Sequence, residues 1–272
     1  MSLRAFVPGH VTGFFSAHPH EDPTIAGSRG AGLALSDGVR VTVDLADETT
    51  ILLNDQRGSM AAVKGVLDRL GVTARVEAET PLPVSAGFGV SGASALGTAL
   101  ATNAAMDGGY TENELVTVAH AAEVKAGTGL GDVVGQARGG IPIRLEPGAP
   151  PRGQFDGLPA RSRVEYVTFG GLDTAAIIGG DTDQLSRAGE KALASLLERP
   201  TLDRFMTVSW TFAREAGLVT ERVRSTVEDV HQNGGKASMA MLGETVFALD
   251  DGLSSAGYDP ATCHIANGAR IE

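Results

Sequence analysis

The sequence predicts a mixed α+β protein organised in two domains. Three observations point there. Short stretches of alternating apolar and polar residues read as half-buried strands, amphipathic stretches with explicit capping signals read as helices, and one run without periodicity, EPGAPPRGQFDGLP, divides the chain. A length of 272 residues with 42% hydrophobic content supports a sizeable core and suits one large or two modest domains. The run places the boundary near residue 150, giving domains 1–150 and 151–272.

Taken in order, Val39 to Ala46 (VRVTVDLA) and Ala74 to Ala78 alternate as strands of one sheet. Between them Ala61, Val63, Val66, Leu67 and Leu70 fall at helical spacing, and Gly71 stops that helix. After Pro81 and Pro83 a glycine-rich turn leads into an alanine-rich helix from about Gly92 to Met106. The next helix, Thr111 to Ala126, carries Thr111 as cap with Glu114 in capping-box position and Gly127 beyond its last turn. The second half supplies strands near Glu165 to Phe169 and Thr174 to Ile178, then helices near Asp183 to Glu198, Leu202 to Ala216 and Thr220 to Gln232. Two late strands, Lys236 to Leu242 and Thr245 to Leu249, are joined by a turn at Gly243. The stripe Leu202, Phe205, Met206, Ser209 and Phe212 is core in this reading.

Composition narrows the function classes. Lys and Arg number 22 against 33 Asp and Glu, a net charge of −11, which leaves no basic patch for nucleic acid. Cys263 stands alone, so neither an intrachain disulfide nor a cysteine zinc site can form. The start MSLRAFVPGH has no apolar run of signal-peptide length, and no stretch approaches a membrane span; the expectation is a soluble cytoplasmic protein. Lysine occurs only at positions 64, 125, 191 and 236. That bias with the acidic excess favours a halophilic source over an ordinary acidic protein.

The strongest local feature is PVSAGFGVSGASA, from Pro83 to Ala95, where small residues enter a helix. Glycines let backbone approach a ligand, and free amides at a helix start favour phosphates. Gly87, Gly89 and Gly92 are spaced as GxGxxG, yet the strand and the later acidic residue of a dinucleotide site are missing, and no GxxxxGK occurs. Further on, His120 and Glu123 share one helix face and Asp132 lies in the glycine-rich turn beyond. A phosphoryl transferase needs one carboxylate to hold magnesium and a second to orient or deprotonate the attacking hydroxyl. Taken singly, each of the three has a plain reading as surface, core or cap.

The order of motifs decides between them. An N-terminal PGH, a proline-led glycine and serine loop, then a Glu and GxGxxD closed by Gly139 and Gly140 resemble the GHMP kinases. The opening VPGHVTGFFSAHPHEDPTIAGSRGAGLAL, HAAEVKAGTGLGDV, GGIPIR and KASMAMLGETVFAL are similar to the archaeal pantoate kinases of that superfamily along nearly the whole chain. The resemblance implies a GHMP kinase fold, with an N-terminal β/α domain and a C-terminal ferredoxin-like domain around the site. It implies ATP and Mg2+ as cofactors and pantoate as the small-molecule substrate, phosphorylated at its primary hydroxyl. It assigns Pro83, Gly87, Phe88, Gly89, Val90, Ser91, Gly92 and Ala93 to the nucleotide loop, Ser91 and Glu123 to magnesium, and Asp132 to catalysis. For the substrate carboxylate, Arg144 comes first, since a guanidinium grips carboxylate bidentately, then His120, then Ser28 or Arg29. His18, His20, Glu21 and Asp22 look like metal ligands, but turn capping explains them as well. His10 stands where mevalonate kinase-like members have lysine, and Ala237 to Gly243 replace the usual late glycine motif, with Gly234 and Gly235 left to keep the turn. The partner expected beyond the substrate is at most a second copy of the chain, in a homodimer.

Overall fold

The computed structural model describes residues 3–171 and 182–272; the expected strand Thr174 to Ile178 lies outside them. The chain opens with two long strands, β1 (Leu3–His18) and β2 (Gly27–Leu45), paired antiparallel. Only the end of β2 was expected. The rest has no polar alternation because both faces of this pair are covered, as strands buried on two sides are. Helix α2 (Val90–Ala105) packs on the pair, and α5 (Asp183–Glu198) packs on both strands as well. Helix α6 (Leu202–Glu215) adds Phe205 and Phe212 against Phe14, with ring centroids 6.2 and 6.4 Å apart. The stripe beginning at Leu202 is therefore core, with Phe205, Met206, Ser209 and Phe212 buried.

The first sheet runs β12–β1–β2–β5–β3–β4, with β6 on β2 and β7 on β6. Its further strands are β3 (Thr50–Leu53), β4 (Gln56–Arg57), β5 (Ala74–Glu79), β6 (Ile141–Glu146), β7 (Gln154–Leu158) and β12 (Arg270–Ile271). Helices α1 (Ala61–Leu70) and α3 (Glu112–Ala126) pack on one another and on α2, and α4 (Asp132–Arg138) closes the group. The capping box is present: Thr111 Oγ1 accepts from the Glu114 amide while the Glu114 carboxylate accepts from the Thr111 amide. β7 lies beyond residue 150 and still pairs with β6. The chain passes to the second sheet between Leu158 and Arg163.

That second sheet is antiparallel, ordered β11–β8–β10–β9, from β8 (Arg163–Gly171), β9 (Ala237–Ala240), β10 (Gly243–Leu249) and β11 (Ala261–His264). Helix α7 (Glu221–Gln232) packs on β9 and β10, and the short α8 (Gly252–Ser255) follows. The expected turn at Gly243 moves back to Met241 and Leu242, where Leu242 takes φ 68°. Gly243 instead begins β10, because a Cβ there would collide with the Ala86 carbonyl of the loop before α2. No helix among the described residues is long and apolar enough to cross a membrane.

Candidate active site

A cavity of about 460 Å³ opens where the loop before α2, the end of α3, the start of α4 and the Met241–Leu242 turn meet. One side of it is formed by that loop. Gly87 (φ 88°) and Gly89 (φ 62°) take left-handed backbone conformations, and Gly89 caps α2 without a side chain. The first amides of α2 therefore have no capping oxygen, and Val90 and Ser91 line the cavity, an arrangement suited to anions. Phe88 anchors the loop, its ring buried edge-on against Tyr166 at 4.8 Å and its carbonyl accepting from the His10 amide at 2.9 Å. Gln136 Nε2 donates to the Gly89 carbonyl at 2.8 Å.

Glu123 comes from the last turn of α3. It is 1% exposed, lines the cavity, and its Oε1 has no hydrogen-bond partner. Gly92 and Gly129 make room for it, since a Cβ at Gly92 would stand 2.6 Å from Oε2. Burial pushes its carboxyl well above the usual range, and the Asp132 charge adds to the push. Ser91 Oγ lies on the same cavity and donates to Thr128 Oγ1 at 3.0 Å. A buried, unpartnered carboxylate beside a hydroxyl is the hard-oxygen pair a magnesium ion takes together with phosphate oxygens.

Asp132 is the first residue of α4, with 23% of its side chain open to the cavity. His10 Nδ1 meets its Oδ1 at 2.7 Å, and Thr12 Oγ1 donates to the same oxygen at 3.4 Å. Burial would raise its pKa, but the His10 hydrogen bond, then the Arg144 charge and the Thr12 hydrogen bond, outweigh that and hold it low. Arg144, on β6, is the largest fully buried side chain among the described residues, 1% exposed, and its Nε and Nη1 have no partner. Gly131 leaves it space, since a Cβ there would lie 2.7 Å from Nε. Burial lowers the guanidinium to about 10, against the pull of Asp132. The cavity thus offers an uncapped helix start, a buried carboxyl, an ionised acceptor and an unsatisfied cation.

Comparison with known proteins fits this arrangement. The GHMP kinases N terminal domain model matches residues 59–140. The pantoate kinase of Thermococcus kodakarensis is 36% identical over 267 residues, 92% of this chain and 88% of its own. This chain belongs to the pantoate kinase family. The Methanocaldococcus jannaschii pantoate kinase is 33% identical over 96% of the chain and 99% of its own. A solved phosphotransferase related to the CoA biosynthesis pathway superposes with TM-score 0.90 at 31% identity, covering 100% of this chain and 99% of its own. A homoserine kinase from Cytophaga hutchinsonii, at 15% identity and TM-score 0.70 over 100% and 97% of the two chains, shares the fold.

In this pantoate kinase family member, Gly87 to Ser91, Glu123, Asp132, Arg144 and Ser28 meet at one cavity. Ser28 Oγ donates to the Leu130 carbonyl at 3.4 Å. Pro83, Gly92 and Ala93 flank the loop without lining the cavity. His120 stands behind the wall, its Nε2–H donating to the Ala26 carbonyl at 2.8 Å, and burial followed by the Arg144 charge lowers its pKa. Arg29 alternates to the opposite side of β2, where Nη1 pairs with Glu190 and Nε donates to Leu145. His18 joins that pair through Glu190, while Asp22 accepts from Thr24 and donates its amide to His20. These side chains hold a turn and a strand end. Thr12, Phe15 and Met60 line the cavity without having been named as site candidates from sequence, since each comes from a distant segment, and Met241 and Leu242 of the atypical late segment join them.

Proposed function

We propose that this chain is an ATP-dependent pantoate kinase, transferring the γ-phosphoryl group to the primary hydroxyl of pantoate and so forming 4-phosphopantoate for coenzyme A synthesis. The observation that carries this reading is Arg144: a fully buried guanidinium, unpartnered at Nε and Nη1, on the same cavity as the phosphate loop and Asp132. A small hydroxy acid supplies what it lacks. The substrate carboxylate would pair with Arg144, with Ser28 beside it, which sets the hydroxyl near Asp132.

Ser91 and Glu123 would hold magnesium, which when bound neutralises charge on the phosphates and gives Glu123 a partner. The α2 amides and Gly87 to Gly89 cradle the triphosphate. Asp132 accepts the hydroxyl proton as the new oxygen–phosphorus bond forms and the bond to the ADP oxygen breaks. Positioning and fixed charge supply most of the acceleration. An ADP-release assay over pantoate, mevalonate, homoserine and pantothenate tests this. Turnover of pantoate above the others is expected, and turnover of another acceptor with none of pantoate would refute it.

A further inference from the structure

We propose that His10 is the positioning residue of the transfer, a neutral imidazole whose Nδ1–H fixes Asp132 Oδ1 and leaves Oδ2 to the substrate hydroxyl. The inference rests on the kinase reading above. His10 is 0% exposed on β1, with Nδ1 2.7 Å from Asp132 Oδ1 and Nε2 buried without a partner. Irregularities in the β1–β2 pairing at Pro8–Gly9 and Thr12–Phe14 bracket it, and the two-residue period between sends His10 and Thr12 to the same side. The ring fits only because its neighbours are glycines. A Cβ at Gly135 would stand 2.8 Å from Nε2, and one at Gly32 would overlap the ring.

The surroundings select one tautomer. A proton on Nε2 would be a buried donor with no acceptor, and would leave the Nδ1 lone pair facing a carboxylate oxygen. On Nδ1 the same proton is donated to Asp132. A second proton would charge a ring sealed from water, and the charged groups facing it are Asp132 on α4 and Arg144 on β6, with the uncharged Thr12 beside it on β1. Burial, the largest influence, pushes its pKa down despite Asp132. His10 therefore acts as a fixed donor and carries no proton away. In the transfer, the substrate O–H bond breaks and its proton goes to Asp132 Oδ2. The freed electron pair forms the bond to the γ-phosphorus, and the ADP oxygen leaves with the electrons of the broken bond.

The two replacements His10→Asn and His10→Leu separate donor from shape, because the asparagine amide can place an N–H where Nδ1 stands and leucine cannot. With ATP, magnesium and pantoate, His10→Leu should lose kcat by about 10- to 100-fold while the KM for ATP changes little. The acid limb of its pH–rate profile should move to higher pH, since Asp132 loses a donor to its ionised form. His10→Asn should recover most of both. In the wild-type protein, 15N spectra of histidine should show His10 protonated at Nδ1 and bare at Nε2 from pH 6 to 8. A folded His10→Leu enzyme with unchanged kcat and acid limb overturns the proposal, and so does an Nε2–H signature, which is read without any variant. Asp132→Asn is assayed alongside. If it is inactive while His10→Leu is normal, only the role of His10 fails; if wild type ignores pantoate, the kinase reading itself fails.

Discussion

Replacing Arg144 by methionine should make the protein more stable and much less active, and both magnitudes follow from its surroundings. Burial has moved the guanidinium from its ordinary value to about 10, which corresponds to a cost on the order of 3 kcal/mol for keeping it charged. For this base, lowered on folding, the cost is complete below about pH 10 and is relieved above it. Methionine keeps most of the apolar stem and removes the charge, so Tm near pH 7.5 should rise by several degrees, at roughly 2–4 °C per kcal/mol. Hydrogen bonds to a charged group contribute about 1.5–3 kcal/mol, so kcat/KM for pantoate should fall by about 10- to 150-fold with KM for ATP nearly unchanged. Added pantoate should raise the wild-type Tm and leave that of Arg144→Met unmoved. Thermal melts with and without pantoate, followed by steady-state kinetics, give all three numbers. A folded variant with wild-type kcat/KM for pantoate would refute the assignment.

Asp132→Asn should keep ATP binding while losing kcat by about 100-fold or more, whereas Glu123→Gln should raise the magnesium concentration for half-maximal rate and be partly rescued by excess metal; an equal magnesium defect in both would mean the carboxylates share the ion. The Glu123 carboxyl is raised on folding, so the stability of its protonated form is full below the unfolded value and is lost as pH climbs through the folded one. Without metal, Glu123→Gln should therefore melt above wild type at pH 8 and level with it near pH 4, and parallel curves would remove the argument. Gly129→Ala has no backbone penalty from a positive φ, but its Cβ would lie 2.8 Å from Glu123 Cδ. It should raise the magnesium requirement, read from rate against metal concentration, with little change in Tm.

The elements legible from sequence were those whose signals are local. Thr111 with Glu114, and the amphipathic faces of α5 to α7, gave helices within a residue or two. β1 carried no such signal: FVPGHVTGFFSA is buried on both faces and interrupted by proline and glycine, so neither period appears. The first half of β2, GSRGAGLALSDG, is similarly small and apolar. Ser91, Glu123 and Asp132 could be named because they sit in motifs that fold locally. The bond between His10 and Asp132, the exile of Arg29 to Glu190, and the place of Met241 and Leu242 depend on long-range register, which spacing does not encode. Gly243 misled for a physical reason, since a glycine demanded by close packing looks the same in sequence as one demanded by a turn.

The path of residues 261–272 bears on how the molecule comes to be made. β11 belongs to the second sheet, yet the chain then crosses back so that Ala266 bonds to Ala34 and Gly140, Ala269 to Gln136, and Ile271 pairs with Ala5. Gln136 and Gly140 lie at and just past the end of α4, the helix that begins at Asp132. A nascent chain emerging from the ribosome therefore holds every residue of the glycine-rich loop and both carboxylates long before it holds the segment that ties down α4. The outer edge of β1 stays unpaired until the whole second sheet has been synthesised. The α4 end of the site should become ordered only after these last segments are made, and the interval before that is when the exposed edge of β1 most needs protection from aggregation.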